Sequence, residues 1–305
     1  MPMRMRMRMR MRMLQKPVDS WRRSDHLFLV KLSFLRPRDE LRGHIQSIWL
    51  FESDSGLPVS DVNMAAPNGC PKLVVNFENA LISSVLGRAR ETAEKSFSFV
   101  GIRSLPVILS TPPRRTSFLG IEFRPAAVFP IFGIPMHELA NRLLPAGSIS
   151  GLFNTSFADQ VWNQRGIPAK VDLVQHQLVE ALGRGKACNR LVEYCVEYLR
   201  RTHGAGPISA LEEKTGYGRR ALEVLFKKHV GVSPKAVAGI FRFQWFYRSF
   251  ARDLSYESVK EHVYEMFYDQ SHFTNEFRKM TGFSPRSYSR NIRNEFGRRV
   301  TLSHG

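Results

Sequence analysis

The sequence is short of acids and cysteines and has no long apolar run. Three cysteines in 305 residues exclude a fully paired disulfide framework, since one would be left over. They fit a reducing compartment, the cytoplasm. No stretch of about 18 uncharged apolar residues occurs, which excludes a membrane-spanning helix and a membrane partner of that kind. There is no glycine loop for phosphates and no HExxH, GxSxG or CxxC motif. The nine histidines are scattered. No catalytic residue, metal site or cofactor is therefore expected, and the chain reads as a non-enzyme. Against 27 acids stand 45 Lys and Arg, a net charge of +18. Such a chain seeks polyanions, nucleic acid first and anionic lipid second.

The placement of the charge says more than its sum. Residues 1–13, MPMRMRMRMRMRM, hold five Arg and no acid. This low-complexity segment lacks the apolar core of a secretory signal and is read as a disordered leader rather than a phosphate-gripping arm. Residues 14–185 carry +4, with 19 basic and 15 acidic side chains, whereas residues 186–305 carry +9, with 21 against 12. Half of the excess therefore lies in the last two fifths of the chain.

The texture of the chain divides at the same place. Residues 26–130 hold short aromatic and β-branched runs: His44–Phe51, Lys72–Phe77, Ser96–Val100, Pro106–Leu109 and Ser117–Phe123. Turn residues such as Asp54-Ser55-Gly56 and Pro67-Asn68-Gly69 separate them. This spacing predicts the strands of a small sandwich or barrel. After Pro130 the spacing turns helical, over Met136–Leu144 and over Val171–Leu182, where Val171, Val174, Leu178 and Leu182 share a face. Glu122 and Arg124 are expected as a surface pair. Gly183-Arg184-Gly185-Lys186 breaks the pattern and is taken as a boundary. Beyond it nearly everything reads as helix, beginning with a stripe of Leu191, Tyr194, Cys195 and Tyr198. Cys70, Cys188 and Cys195 read as small core residues.

One internal repeat carries the functional reading. Phe226-Lys-Lys-His-Val-Gly-Val-Ser-Pro234 recurs 51 residues later as Phe277-Arg-Lys-Met-Thr-Gly-Phe-Ser-Pro285. In each copy Phe anchors a helix, Gly supplies the left-handed residue that stops it, and Ser-Pro caps and starts the next. A short helix from about Ile208 to Thr215, stopped by Gly216, precedes the first copy, and Asp269 is placed to cap the helix of the second. The pattern describes two helix-turn-helix units, over 208–229 and 257–280. In the first, Leu222, Leu225 and Phe226 face inward and Arg219, Arg220, Glu223 and Lys227 face out. In the second, Phe273, Phe277 and Met280 face inward and Gln270, Ser271, Thr274 and Arg278 face out. Arg pairs bidentately with guanine, Gln with adenine, and Thr meets a thymine methyl or a phosphate. The aromatic segment Ser233–Arg252 reads as a buried helix joining the units, setting both second helices into successive major grooves about 34 Å apart.

Residues 187–290 resemble the DNA-binding domain of AraC/XylS-type transcription regulators. The resemblance rests mainly on Tyr268-Asp-Gln-Ser-His-Phe-Thr-Asn-Glu-Phe-Arg-Lys-Met-Thr-Gly-Phe-Ser-Pro285, with Phe241-Arg-Phe-Gln244 in the connecting helix. It implies that Arg219, Arg220, Glu223, Gln270, Ser271 and Thr274 face bases, and that Lys227 and Arg278 face phosphates. Met266 stands where the family has Gly. Glu212, Glu261 and His262 replace small or apolar residues, and Val224 and Asn275 stand where Arg is common. Gly120–Pro130 and Ile134–Leu139 resemble the companion domain of such regulators. The expected fold is α+β, a cupin-like small β-barrel or sandwich over 14–185 followed by an all-α domain over 186–305. The implied function is a sequence-specific regulator that binds double-stranded DNA, with a small-molecule effector or a homodimer partner for the amino-terminal part. The alternatives are a DNA-tethered enzyme and a non-specific architectural DNA binder.

Overall fold

The structure is a computed structural model describing residues 30–252, 263, 267 and 269–302. The Met-Arg leader, the first helix expected in the second unit, and Glu261, His262 and Met266 lie outside the described residues. Among the described residues, ten strands form two antiparallel sheets. They are β1 (Val30–Leu35), β2 (Ile45–Ser53), β3 (Met64–Ala65), β4 (Lys72–Glu78), β5 (Leu81–Val85), β6 (Arg88–Thr92), β7 (Ser96–Val100), β8 (Val107–Ser110), β9 (Thr116–Phe123) and β10 (Leu143–Pro145). The larger sheet has the order β1-β2-β9-β4-β7-β10, the smaller β3-β8-β5-β6. All five runs read as strands in the sequence are strands.

Strand β9 shows how the sequence builds this sandwich. All eight of its residues are buried, because it is central and covered on both faces. Alternate residues point opposite ways. Leu119, Ile121 and Phe123 join Ile48, Leu50, Leu73, Val75 and Phe99 in one core. Phe118 joins Trp49 and Phe51 in another, on the opposite face. Trp49 pairs across strands with Gly120. A Cβ at Gly120 would lie 2.1 Å from the indole, so only glycine leaves room for that ring.

Helices α1 (Val128–Phe132), α2 (Thr155–Asn163) and α3 (Ile167–Arg184) cover the first face. Val171, Val174 and Leu178 of α3 are buried there, and Leu182 packs at its edge. The helix expected over Met136–Leu144 is absent. Only Met136–Glu138 winds, as a single 3-10 turn, and Leu143–Pro145 is strand. Asn141 takes a left-handed φ of 58°, which breaks the helical path, and the chain is pulled into pairing with β7. The expected Glu122–Arg124 surface pair is also absent. Glu122 is fully buried, 3.1 Å from Lys72 Nζ and accepting from Ser47 Oγ at 2.8 Å. Arg124 lies beyond the strand end and is exposed.

The remaining described helices are α4 (Arg190–Arg201), α5 (Ser209–Thr215), α6 (Arg219–His229), α7 (Pro234–Ala251), α8 (Gln270–Thr281), α9 (Pro285–Asn291) and α10 (Glu295–Leu302). The buried stripe of α4 is Val192, Cys195, Val196 and Leu199, turned from the one expected. Tyr194 is 48% exposed, its hydroxyl favouring water over an apolar core. Helix α10 packs into the sandwich itself. Phe296 contacts Trp49, Phe51 and Phe118. Ahead of it, Asn294 donates to Met64 O at 2.9 Å and to Tyr247 Oη at 3.1 Å, while its Oδ1 accepts from Met64 N at 2.8 Å.

Candidate nucleic-acid interface

Helices α5 and α6 form the first unit. Gly216 ends α5 in the left-handed region, φ 71°, its N–H donating to Glu212 O at 2.9 Å. A side chain is disfavoured at that φ, which is why glycine stands there. Helix α6 then starts after Gly218, held inward by Leu222 and Phe226, 1% and 0% exposed. Arg219, Arg220 and Lys227 lie exposed on its outer side and Glu223 is half-buried. Glu223 Oε1 holds Arg219 Nε at 3.2 Å. Arg220 pairs with no acid among the described residues.

The second unit's described helix is α8. Asp269 caps it, Oδ1 accepting from His272 N at 2.7 Å, a cap worth about 1 kcal/mol. Phe273, Phe277 and Met280 are buried. Gln270, Ser271 and Arg278 are exposed and Thr274 is half-buried. Gly282 stops the helix at φ 84°. Ser233 and Ser284 cap the next helices in the two copies, each with Pro at the first turn. The repeat in the sequence is thus a repeat in backbone chemistry.

Helix α7 joins the two by its rings. Phe243 packs on Phe277 at 5.7 Å and Phe246 on Phe273 at 5.1 Å. Phe243, Phe246 and Tyr247 are at most 1% exposed, so they form core and no stacking platform for bases.

The outer end of α6 is gripped by the sandwich. His229 lies edge-on to Phe129 at 4.5 Å, and Lys228 stands over the same ring at 5.5 Å. Burial first, and Lys228 second, hold the His229 pKa below its ordinary value. A further tie runs from Gln244 Nε2 of α7 to Pro67 O at 2.6 Å.

Residues 211–291 match a family described as a helix-turn-helix domain. The carboxy-terminal part is an AraC-type helix-turn-helix domain. An AraC-type domain makes the protein a DNA-binding transcription regulator at the level of class. Residues 33–145 match a domain of unknown function, DUF6597. No curated protein matches the chain. Among solved structures it is similar to ToxT from Vibrio cholerae at 11% identity, over 86% of this chain and 97% of that one, with a TM-score of 0.43. It is similar to the Clostridium difficile EutQ protein at 12% identity, over 32% and 69%, with a TM-score of 0.25. A cupin superfamily protein from Desulfitobacterium hafniense matches at 15% identity, over 31% and 77%, also at 0.25.

Within the AraC-type domain the eight expected contact residues fall four on α6 and four on α8. Val224, noted in the sequence for standing where Arg is common, proves to be part of this outward face. It is 61% exposed on α6, one turn from Arg220. The signal was an apolar residue set among polar ones on an outward face. Among the described residues no group of three or more His, Cys, Asp or Glu side chains could hold a metal. No described helix is long and apolar enough to cross a membrane.

Proposed function

We propose that this regulator reads two successive major grooves of double-stranded DNA, with α6 and α8 as the reading helices. Residues 186–305 form the DNA-binding domain and residues 14–185 the sensing or dimerising one. Arg219, Arg220, Glu223, Gln270, Ser271 and Thr274 face base edges, and Lys227 and Arg278 face phosphates. Val224 supplies an apolar surface of the kind that meets a thymine methyl. The observation that supports this most is the matched pair of exposed polar faces, one backed by buried Leu222 and Phe226 and the other by buried Phe273 and Phe277, each followed by a glycine at positive φ.

The amino-terminal part would act by holding α6. Its grip through Phe129, His229 and Lys228 leaves the outer residues of α6 open, so an effector can bias the angle of the helix without uncovering it. Selection of bound duplexes from a random pool, followed by footprinting, tests the reading. A protected stretch of about two helical turns with a defined sequence is expected. Affinity indifferent to sequence, with only a steep salt slope, would overturn it in favour of architectural binding.

A further inference from the structure

At one edge of the sandwich the last strands of the two sheets, β6 and β10, come together. Arg90 of β6 donates to Leu143 O of β10, and beside this tie opens a hollow of about 300 Å³. Four arginines line it, Arg88, Arg90, Arg103 and Arg142, and none of its lining residues is a carboxylate. The loop that carries Arg103 is set by Asn141. With its left-handed φ of 58°, Asn141 bonds both neighbours of Arg103. Its N–H donates to Ile102 O at 2.9 Å, and its Oδ1 accepts from Ser104 N at 2.9 Å. Next along the chain, Arg142 O accepts from Gly101 N at 3.1 Å.

The charge of this hollow is not answered from within. Arg90 and Arg142 donate to main-chain carbonyls, Leu143 O and Glu138 O, which complete hydrogen bonds but cancel no charge. The Arg103 Nε is buried with no acceptor, at a cost of about 1–3 kcal/mol. Among the described residues none of the four pairs with an acid. Four like charges at one sheet edge repel one another, and a polyanion relieves that repulsion. Each guanidinium fork matches two oxygens of one phosphate.

The hollow also adjoins the helical domain. Ile102, next to Arg103, packs against Gly231, where an added Cβ would lie 3.3 Å from its Cγ2. Gly231 stands two residues beyond the end of α6. Lys227, exposed on α6, is four residues back, about 6 Å along the helix axis.

We infer that the arginine-lined hollow grips the sugar-phosphate backbone of DNA beside the groove that α6 enters, so that the amino-terminal sandwich is itself part of the DNA interface. This goes beyond the reading proposed above but rests on α6 lying at the DNA. It carries the row of phosphate contacts from Lys227 across the domain junction. The exposed side chains of Arg88, Arg90 and Arg142 suit a backbone passing across them better than a small molecule enclosed by them.

The salt dependence of duplex binding by the full chain tests this. Each neutralised phosphate contributes about 0.9 to the slope of log K against log salt. Arg88→Gln with Arg103→Gln is expected to lower that slope by about one to two units. All sequences should weaken alike, by about eight- to sixtyfold at about 0.1 M salt. Arg88→Gln alone, at an exposed position, should give about one unit, whether or not the double variant folds. Arg165→Gln, an equal change of charge at an exposed site between α2 and α3, should leave the slope as it was. Hydroxyl-radical footprints of the double variant should lose protected sugars on the flank of the α6 site and keep the rest. An unchanged slope in Arg88→Gln would overturn the proposal, as would an equal fall in Arg165→Gln. Tight binding of pyrophosphate by the unaltered chain, with the slope on DNA unmoved in the variants, would overturn it in favour of a small phosphorylated ligand. Duplex selection separates the two readings. Sequence discrimination with an unmoved slope would sink this inference alone. Sequence-blind binding whose slope falls in Arg88→Gln would support it and sink the two-groove reading.

Discussion

The two helices proposed to read DNA, α6 and α8, share the glycine and Ser-Pro that follow them and differ in their attachment. Helix α6 carries its inward Leu222 and Phe226 into the helical core, yet its far end rests on Phe129 and the Met136 turn of the sandwich. Helix α8 packs on α7 and α9 through Phe273 and Phe277. Its link to the sandwich is indirect, through α9, Asn294 and α10. One head is held at its own end, and the other through a polar junction one helix away. The same local code thus produces two helices that the amino-terminal part touches differently, one through an edge-on ring contact and one through a buried hydrogen-bond hub.

Several substitutions and a pH series break or sharpen that contrast. The largest effect is expected from Phe277→Ala, at about 3–5 kcal/mol of folding stability in denaturant unfolding. Phe277 is fully buried and touches Phe243, Phe250 and Tyr288. Phe226→Ala should cost a similar amount, but its footprint should lose the α6 half where Phe277→Ala loses the α8 half. Next comes Asn294→Ala. It leaves the Met64 N–H and carbonyl without partners, which costs about 1–3 kcal/mol and should raise hydrogen exchange over residues 295–302 while sparing α6. Arg220→Ala should cost about 1–3 kcal/mol at one base position, whereas Lys227→Ala should weaken all sequences alike. Equal, sequence-blind losses from both would refute that division of roles.

The smallest effect is on pH. Burial is the first cause holding His44, His203 and His229 below the ordinary value of 6.5. Each is neutral in the folded protein, and the unfolded chain takes up its proton at higher pH than the folded one. Stability from these sites is complete above about pH 6.5 and declines as pH falls below it. A melting series from pH 7.5 to 5.5 should show the decline, and His229→Phe should flatten part of it by removing the titration at the α6 grip.

Much of this was legible because its causes are local. Glycine stops, serine caps and phenylalanine anchors act within a dozen residues, so the helices of the first unit, the described helix of the second and the outward faces of α6 and α8 follow from sequence. The strands of β2, β4, β7, β8 and β9 are legible for the same reason, through short runs between turns. What escaped is set by distant partners. The strand order needs pairings across the chain, and β6, RARET, carries no apolar alternation. The Met136–Leu144 segment has helical spacing but is claimed by β7. Arg103 looks like any loop arginine until the fold walls it in. Phe296 and Val300 look like ordinary helical core, and nothing nearby in sequence says that they belong to the sandwich. The thiols were read as inert, and burial pushes Cys70 up to about 12.

The bonds between Asn294 and Met64 span 230 positions. Closing so large a loop is slow relative to forming hairpins and helical turns. The sandwich and the helical half should each collapse early in refolding, with the Trp49 indole quenched late, when Phe296 arrives. Until then the edge of the β-structure stays open to neighbouring molecules, and self-association during refolding should grow with protein concentration in that interval.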